Sequence, residues 1–232
     1  MNKPPWLVVK VKHKNKITQI KKILDDSNLH TVCEEALCPN IGECWNKKSV
    51  TFMILGDICT RNCSFCAVGK GKPKPPDLME PSNIANMVQK LNLNHVVITS
   101  VDRDDLEDNG ASHFVNTVNN IKTANPNTTI EVLIPDFIGY HNGIKQVVES
   151  KPDIINHNIE TISRLHSKVK PKSNYLHSLN LLQTAKKLNN KIFTKSGIIL
   201  GLGENKTEII TLMNDLLSVN CDILTIGQYL QP

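Results

Sequence analysis

Six of the seven cysteines in this chain of 232 residues fall in two clusters, whose spacing indicates metal chemistry. The later triplet follows the pattern C-x3-C-x2-C: Cys59, Cys63 and Cys66. Its spacing lets one short loop bring three thiolates to a [4Fe–4S] cube, and the fourth iron would stay open for a substrate or cofactor. The earlier triplet follows the pattern C-x4-C-x5-C: Cys33, Cys38 and Cys44.

Three other uses of these cysteines fit the sequence less well. A disulfide framework is typical of small secreted domains, but the cysteine count is odd and no secretory segment is expected near Met1. Structural zinc usually takes four Cys or His ligands in paired spacing, and neither triplet supplies a fourth ligand at such a distance. A ferredoxin-type carrier needs a fourth cysteine per cluster. Two incomplete triplets favour catalysis, whereas the isolated Cys221 is interpreted as a small buried hydrophobe.

The composition predicts a single cytoplasmic domain. Hydrophobic residues make up 40% of the chain, which is enough for one core, and no run approaches the length of a membrane span. A thiol-reducing, cytoplasmic compartment without a membrane partner is therefore expected. The net charge of +5 comes mainly from scattered lysines, so no nucleic-acid partner is expected. Arginines are rare, and Arg61 and Arg103 are equally compatible with a site role or an ordinary salt bridge.

Beyond the cysteines, short β-branched runs alternate with amphipathic helical segments. This alternation predicts βα units around a parallel sheet, with the helices covering one side. The first of these helices is predicted to have Ser82 as its N-cap. An extension over residues 1–48 is expected to precede this α/β array, which spans residues 49–232. Six strands are predicted, at residues 51–55, 96–101, 130–134, 153–157, 192–197 and 222–226.

Polar residues recur where the predicted strands end, which is where parallel βα arrays carry their sites. The first strand leads directly into the later triplet. Any one of these polar residues could instead cap a helix or, like His157, be a satisfied core residue. Their recurrence at strand after strand favours a site. The residues concerned include Asp102, Arg103, Asp104, Asn158, Glu160, Lys195 and Ser196.

These features resemble the lipoyl synthase family of radical S-adenosylmethionine (SAM) enzymes, over nearly the whole chain. C-x3-C-x2-C alone would indicate only the radical SAM superfamily, and the earlier triplet is the specific sign. Motifs that carry the resemblance include Pro4-Pro5-Trp6-Leu7, Cys33-Glu34-Glu35-Ala36-Leu37-Cys38-Pro39-Asn40, Ser100-Val101-Asp102-Arg103-Asp104-Asp105-Leu106, Asn156-His157-Asn158-Ile159-Glu160-Thr161 and Gly227-Gln228-Tyr229-Leu230-Gln231-Pro232.

The resemblance implies a partial (β/α)6 TIM-type barrel and the activity of a sulfurtransferase. Such an enzyme inserts two sulfur atoms at carbons 6 and 8 of a protein-bound octanoyl group, which makes the lipoyl cofactor. The later triplet would be catalytic, because it holds the [4Fe–4S] cluster that cleaves SAM to a hydrogen-abstracting radical. The earlier triplet would hold an auxiliary [4Fe–4S] cluster, which is the sulfur donor and is consumed in turnover.

The polar groups at the strand ends would face the SAM site, so they are candidate site residues, and the resemblance also implies partners. Candidates for binding SAM are Asp102, Arg103, Asp104, Asn158 and Glu160, while Lys195 and Ser196 would do the same or guide the acyl chain. The expected partners are octanoylated lipoyl carrier domains, an electron donor such as flavodoxin or ferredoxin, and iron–sulfur assembly proteins.

The family pattern continues beyond Gln231-Pro232 through a last helix and a tail with an Arg-Ser-Ser-Tyr motif. In the family, the serine of that motif is the fourth ligand of the auxiliary cluster. This chain has neither feature, so an uncovered sheet face and an open iron on the auxiliary cluster are expected. Two hypotheses follow. One is an active lipoyl synthase with a substitute ligand such as water, a histidine or a partner protein. The other is a truncated iron–sulfur-binding remnant that cleaves SAM or is inactive.

Overall fold

The computed structural model describes residues 14–27, 29–35, 38 and 40–230. Motif positions 4–7, 36, 37, 39, 231 and 232 lie outside the described residues. The strands are β1 (His30–Thr31), β2 (Ser49–Ile54), β3 (Ile58–Cys59), β4 (Gly69–Lys70), β5 (His95–Ser100), β6 (Thr129–Leu133), β7 (Ile154–Asn156), β8 (Phe193–Leu200) and β9 (Ile223–Gln228). The helices are α1 (Lys14–Asp26), α2 (Val32–Glu35), α3 (Ile41–Asn46), α4 (Glu80–Lys90), α5 (Ala111–Ala124), α6 (Gly143–Glu149), α7 (Ser163–Val169), α8 (Tyr175–Leu188) and α9 (Lys206–Ser218).

Parallel pairing in chain order builds a partial barrel. All six predicted strands are present, and β2, β5, β6, β7, β8 and β9 pair in that order, each parallel to the next. Residues of β2, β5, β6, β8 and β9 border one cavity, so the sheet curls around its inner face. The predicted α/β partial barrel is therefore confirmed.

The two edges of the sheet differ: one is paired with a short antiparallel strand, and the other exposes apolar side chains. At one edge the short strand β1 pairs antiparallel with β2, with His30 opposite Met53, and so attaches the cysteine-rich segment to the barrel. A strand of two residues has no periodicity and was not predicted. The division at residue 49 stays a prediction. At the other edge, Ile223 and Ile226 of β9 are 37% and 52% exposed.

The helices bury apolar faces against the sheet, as their periodicity predicts. Ile84 and Val88 of α4 and Phe114 and Val118 of α5 are almost completely buried, whereas Leu188 at the end of α8 is 45% exposed. No helix among the described residues combines the length and hydropathy needed to cross a membrane.

The predicted N-cap of α4 was wrong. The helix begins at Glu80, with Met79 in the N-cap position and Pro81 in the first turn. Ser82 lies inside the helix, and its hydroxyl donates to the Met79 carbonyl at 2.8 Å. Proline is tolerated in the first turn because the N–H it lacks would have no partner there, so Pro81 does not delay the start of the helix.

We expect Phe114→Ala to lower the free energy of unfolding by about 3–5 kcal/mol, because truncating a fully buried ring leaves a cavity. Phe114 is 0% exposed and meets the ring of Phe137 edge-on, with centroids 6.4 Å apart. Urea unfolding measures the loss. Leu188→Ala is the matched control at a 45% exposed helical position, and a loss there as large as at Phe114 would contradict this packing.

Candidate functional site

The chain after β2 carries the later triplet to the carboxyl end of the sheet. Cys59 lies in β3, which pairs parallel with β4, and the Cys59 carbonyl accepts a hydrogen bond from Gly71 N–H at 3.0 Å. Cys66 N–H donates to the Cys63 carbonyl at 3.3 Å, which closes the turn between these two residues. All three cysteines are half-buried and line a cavity of about 660 Å³.

Arg61 ties this loop to the ends of β5 and β6. Its Nε and Nη2 donate to the Asp104 carboxylate at 2.9 and 2.6 Å, and Nη1 donates to Asp136 at 2.8 Å. Asp102 lies 3.5 Å from the same Nη1. The Arg61 side chain is only 3% exposed, so these are buried ion pairs. The salt-bridge interpretation of Arg61 is confirmed, and the loop is anchored through it.

The thiols of the later triplet are held in their protonated form while no metal is bound. Burial raises the pKa of Cys59 and Cys66, and burial together with the charge of Asp102 raises the pKa of Cys63 to about 12. Metal binding requires thiolates, so an incoming iron must displace these protons.

The earlier triplet lies around α2 and α3, beside the same cavity. Cys33 is buried, Cys38 and Cys44 are half-buried, and Cys38 N–H donates to the Cys33 carbonyl at 3.1 Å. Burial raises the pKa of Cys44, and the charges of Cys33 and Cys38 raise it further, which indicates that the three thiols are neighbours. Val32, adjacent to Cys33, lines the cavity.

All seven cysteines are free thiols. Within the described part of the chain, no group of three or more His, Cys, Asp or Glu side chains forms a site for a metal ion. The thiolates of a [4Fe–4S] cube bind different irons, so they need not converge on one point as the ligands of a single ion do. The donor set of the later triplet, three thiols on one short cavity-lining loop, fits such a cube.

Three of the seven residues predicted to bind the cofactor line the cavity: Asp102, Asn158 and Glu160. Two buried oxygens of the lining, Asn158 Oδ1 and Ser100 Oγ, have no hydrogen-bond partner among the described residues. Buried polar atoms are normally satisfied, so both are suited to hydroxyl or amine donors of a ligand. A Cβ atom at Gly197 would lie 2.6 Å from Asn158 Oδ1, so glycine there leaves room for the amide.

The other four predicted residues do not line the cavity, and each has a protein partner. Asp104 pairs with Arg61. Ser196 donates to the His157 carbonyl at 2.9 Å and is 0% exposed. Asp104 and Ser196 thus each bind a buried polar group of the protein. The sequence pattern does not determine this direction of their side chains.

Lys195 and Arg103 are the two cations in this group of four. Lys195 donates to the buried Glu131 carboxylate at 2.9 Å. Arg103 donates through two nitrogens to Asp105, at 2.8 Å each, and through Nη1 to the Leu55 carbonyl at 3.1 Å. Both cations are therefore engaged in the protein frame.

Lys170 lines the cavity, but the sequence did not single it out. It follows α7, and its Nζ donates to the Asn158 carbonyl at 3.2 Å. Burial raises the pKa of Glu160, and the positive charge of Lys170 partly offsets that rise. In the sequence this lysine lies between Lys168 and Lys172, which is typical of a solvated surface. In the sequence its apolar neighbour Val169, which the structure buries, is a weak sign that this segment packs inward.

Two known sequences that are similar to this chain belong to one enzyme family. The family model of the Radical SAM superfamily matches residues 53–216. A lipoyl synthase of Caldicellulosiruptor saccharolyticus is 54% identical over 230 residues, which are 99% of this chain and 81% of that relative. A lipoyl synthase of Caldanaerobacter subterraneus subsp. tengcongensis is 52% identical over 232 residues, which are 100% of this chain and 81% of that relative.

Solved structures with low sequence identity share the fold. HydG, a maturase of the [FeFe]-hydrogenase, superimposes with a TM-score of 0.64 at 12% identity, covering 94% of this chain and 56% of HydG. Methylornithine synthase superimposes with a TM-score of 0.62 at 13% identity, covering 94% of this chain and 61% of the synthase. These likenesses show the fold of a partial barrel.

The buried Glu131 gives a testable pH dependence. Burial would raise its pKa, but hydrogen bonds from His95 and Lys195 lower the pKa from 4.5 to about 2. A carboxyl group with a lowered folded-state pKa stabilises the fold above its unfolded pKa, and this stability is lost as the pH falls through the folded value. We therefore expect Glu131→Gln to cost on the order of 3 kcal/mol at pH 7.

The loss caused by Glu131→Gln should shrink between pH 4.5 and about 2, the ordinary and folded values of the glutamate pKa. Urea unfolding of the wild type and the variant at a series of pH values measures it. A difference in unfolding free energy that stays constant down to pH 2 would contradict the buried ion pair.

Proposed function

Because the chain belongs to the lipoyl synthase family of the radical SAM superfamily, we propose that it inserts two sulfur atoms into a protein-bound octanoyl group, at carbons 6 and 8. One observation carries the proposal. The cavity that the later triplet lines has both unpartnered polar atoms and many apolar side chains in its lining, which suits a polar cofactor beside an acyl chain.

The later triplet would hold the reducible [4Fe–4S] cluster and leave one iron open for SAM. When bound, the cluster and SAM supply the electron and the hydrogen-abstracting chemistry that no side chain provides. Asn158, Glu160 and Ser100 would bind the hydroxyl and amine donors of SAM, because they present acceptor oxygens to the cavity. Lys170 would bind its carboxylate.

The apolar part of the lining would hold the octanoyl chain and exclude water. Large side chains of this part come from the cysteine loop, from several strands and from the segment after β9: Met53, Phe65, Leu133, Ile198, Ile226 and Leu230. Excluding water protects a reactive intermediate from side reactions. The earlier triplet, held beside the cavity through Val32, would carry the auxiliary [4Fe–4S] cluster as the sulfur donor.

The proposal extends to location and partners. Seven free cysteines suit a thiol-reducing cytoplasm. The substrate would be an octanoylated lipoyl carrier domain, the reductant a flavodoxin or ferredoxin, and the clusters would come from iron–sulfur assembly proteins. No nucleic acid and no membrane is needed for this chemistry.

The decisive experiment is anaerobic reconstitution, followed by turnover with SAM, dithionite and an octanoyl-lysyl peptide. Mass spectrometry should detect both 5'-deoxyadenosine and the lipoyl peptide. Cys63→Ala should abolish both products, whereas Cys38→Ala should retain 5'-deoxyadenosine and lose the lipoyl peptide. Cys221→Ala is the matched cysteine control and should retain both, because Cys221 packs against a separate part of the core.

Two outcomes of this turnover experiment would contradict the proposal. Wild-type protein that makes 5'-deoxyadenosine without lipoyl product would be a SAM-cleaving remnant rather than a sulfur-inserting enzyme. SAM cleavage that persists in Cys63→Ala would show that the later triplet is not the SAM-cleaving site.

Lys170→Met should raise the KM for SAM about tenfold, which corresponds to losing about 1.4 kcal/mol of binding from one charge-assisted contact. Lys168→Met is the matched control, because Lys168 belongs to the same segment and is exposed. Initial rates of 5'-deoxyadenosine formation at varied SAM concentration measure both variants. Equal KM values for the two variants would remove Lys170 from the SAM site.

A further inference from the structure

The chain leaves β2 through a left-handed residue that is not glycine. Leu55 has φ = 70° and is 2% exposed, and Gly56 follows with φ = 93°. A left-handed conformation is unfavourable for a residue with a side chain, so the surroundings must hold Leu55 in place.

Two buried charged residues hold both backbone polar groups of Leu55. The Glu80 carboxylate, in the first turn of α4, accepts a hydrogen bond from Leu55 N–H at 2.8 Å. The Arg103 guanidinium, after β5, donates to the Leu55 carbonyl at 3.1 Å. Glu80 is 6% exposed and Arg103 is 2% exposed, so both bonds are shielded from water.

Each of the two charged residues is itself fixed by a second side chain. His113 of α5 lies 2.7 Å from the Glu80 oxygen that accepts from Leu55. Asp105 accepts two hydrogen bonds from Arg103, at 2.8 Å each. The side chain of Leu55 is confined as well, because a Cβ atom at Gly110 would collide with its Cδ1.

The conformation of Leu55 affects the position of the later triplet, because only three residues separate Leu55 from Cys59. We propose that Glu80 and Arg103 are positioning residues, which hold Leu55 in its left-handed conformation and thereby set the path of the chain to Cys59 before iron binds. The inference rests on the proposed function, since Cys59 matters as a cluster ligand only there. Apolar residues at these two positions would avoid the desolvation cost of buried charge, but they could not form hydrogen bonds with the N–H and the carbonyl of Leu55.

The first test uses the protein without iron. Glu80→Ala should speed hydrogen exchange of the backbone amides of residues 56–60 about tenfold, because the buried Leu55 N–H loses its acceptor and the turn opens more often. Glu131→Gln is the control for the loss of a buried carboxylate, since Glu131 of β6 is as buried as Glu80 of α4 but makes no hydrogen bond to this turn. Equal exchange of residues 56–60 in wild type, Glu80→Ala and Glu131→Gln would overturn the inference.

The second test uses the reconstituted protein and a conservative variant. The EPR spectrum of the reduced cluster should change on SAM addition in the wild type, and Glu80→Ala should lose most of this change. Glu80→Gln should recover it, because the amide oxygen still accepts from Leu55 N–H. A Glu80→Gln spectrum identical to that of Glu80→Ala would refute the positioning role.

Two further outcomes are separable. If Glu80→Ala does not fold, Arg103→Met tests the opposite side of the turn with the same exchange measurement, and unchanged exchange there overturns the inference. A wild-type EPR spectrum that does not change on SAM addition would contradict the proposed function. The hydrogen-exchange result on the iron-free protein would still decide the role of Glu80.

Discussion

The architecture of the site depends on buried ion pairs that fix a short loop to the ends of several strands. Arg61 links the later triplet to Asp104 and Asp136, which follow two neighbouring strands. Its guanidinium is almost fully buried, so removing either partner would leave a desolvated charge, which typically costs about 3–5 kcal/mol. The thiols are therefore set against the cavity by the protein frame, before any metal is bound.

The partial barrel explains why so many charged groups meet at one rim. Parallel strands in chain order bring each strand end, and the loop that follows it, to the same side of the sheet. Some of the polar side chains face the cavity, as Asn158 and Glu160 do. Others bind the frame, and Lys195, which donates to the buried Glu131, is an example. Neighbouring residues on the same strand ends thus line the cavity and support the loops.

The sequence predicted those parts of the structure that periodicity and spacing encode. The six parallel strands and the cavity position of the later triplet belong to this group. The direction of a side chain at a strand end does not, because it depends on which buried partner is within reach. Arg103, for example, was predicted to bind the cofactor, and its guanidinium donates to the Leu55 carbonyl. The position of Lys170 in the cavity lining was not predicted, because Lys168 and Lys172 flank it and such a run of lysines is typical of a solvated surface. The left-handed Leu55 has no sequence signal, since leucine rarely adopts that conformation.

The central claim is that one preformed cavity holds a SAM-binding cluster at the later triplet, with a second cluster beside it. A crystal structure of the anaerobically reconstituted protein with SAM, with anomalous data at the iron edge, tests this most directly. The account predicts iron density at both triplets and SAM between the later triplet, Asn158 and Glu160. Iron density at the earlier triplet alone, a single metal ion in place of a cluster, or SAM bound outside the cavity would contradict it.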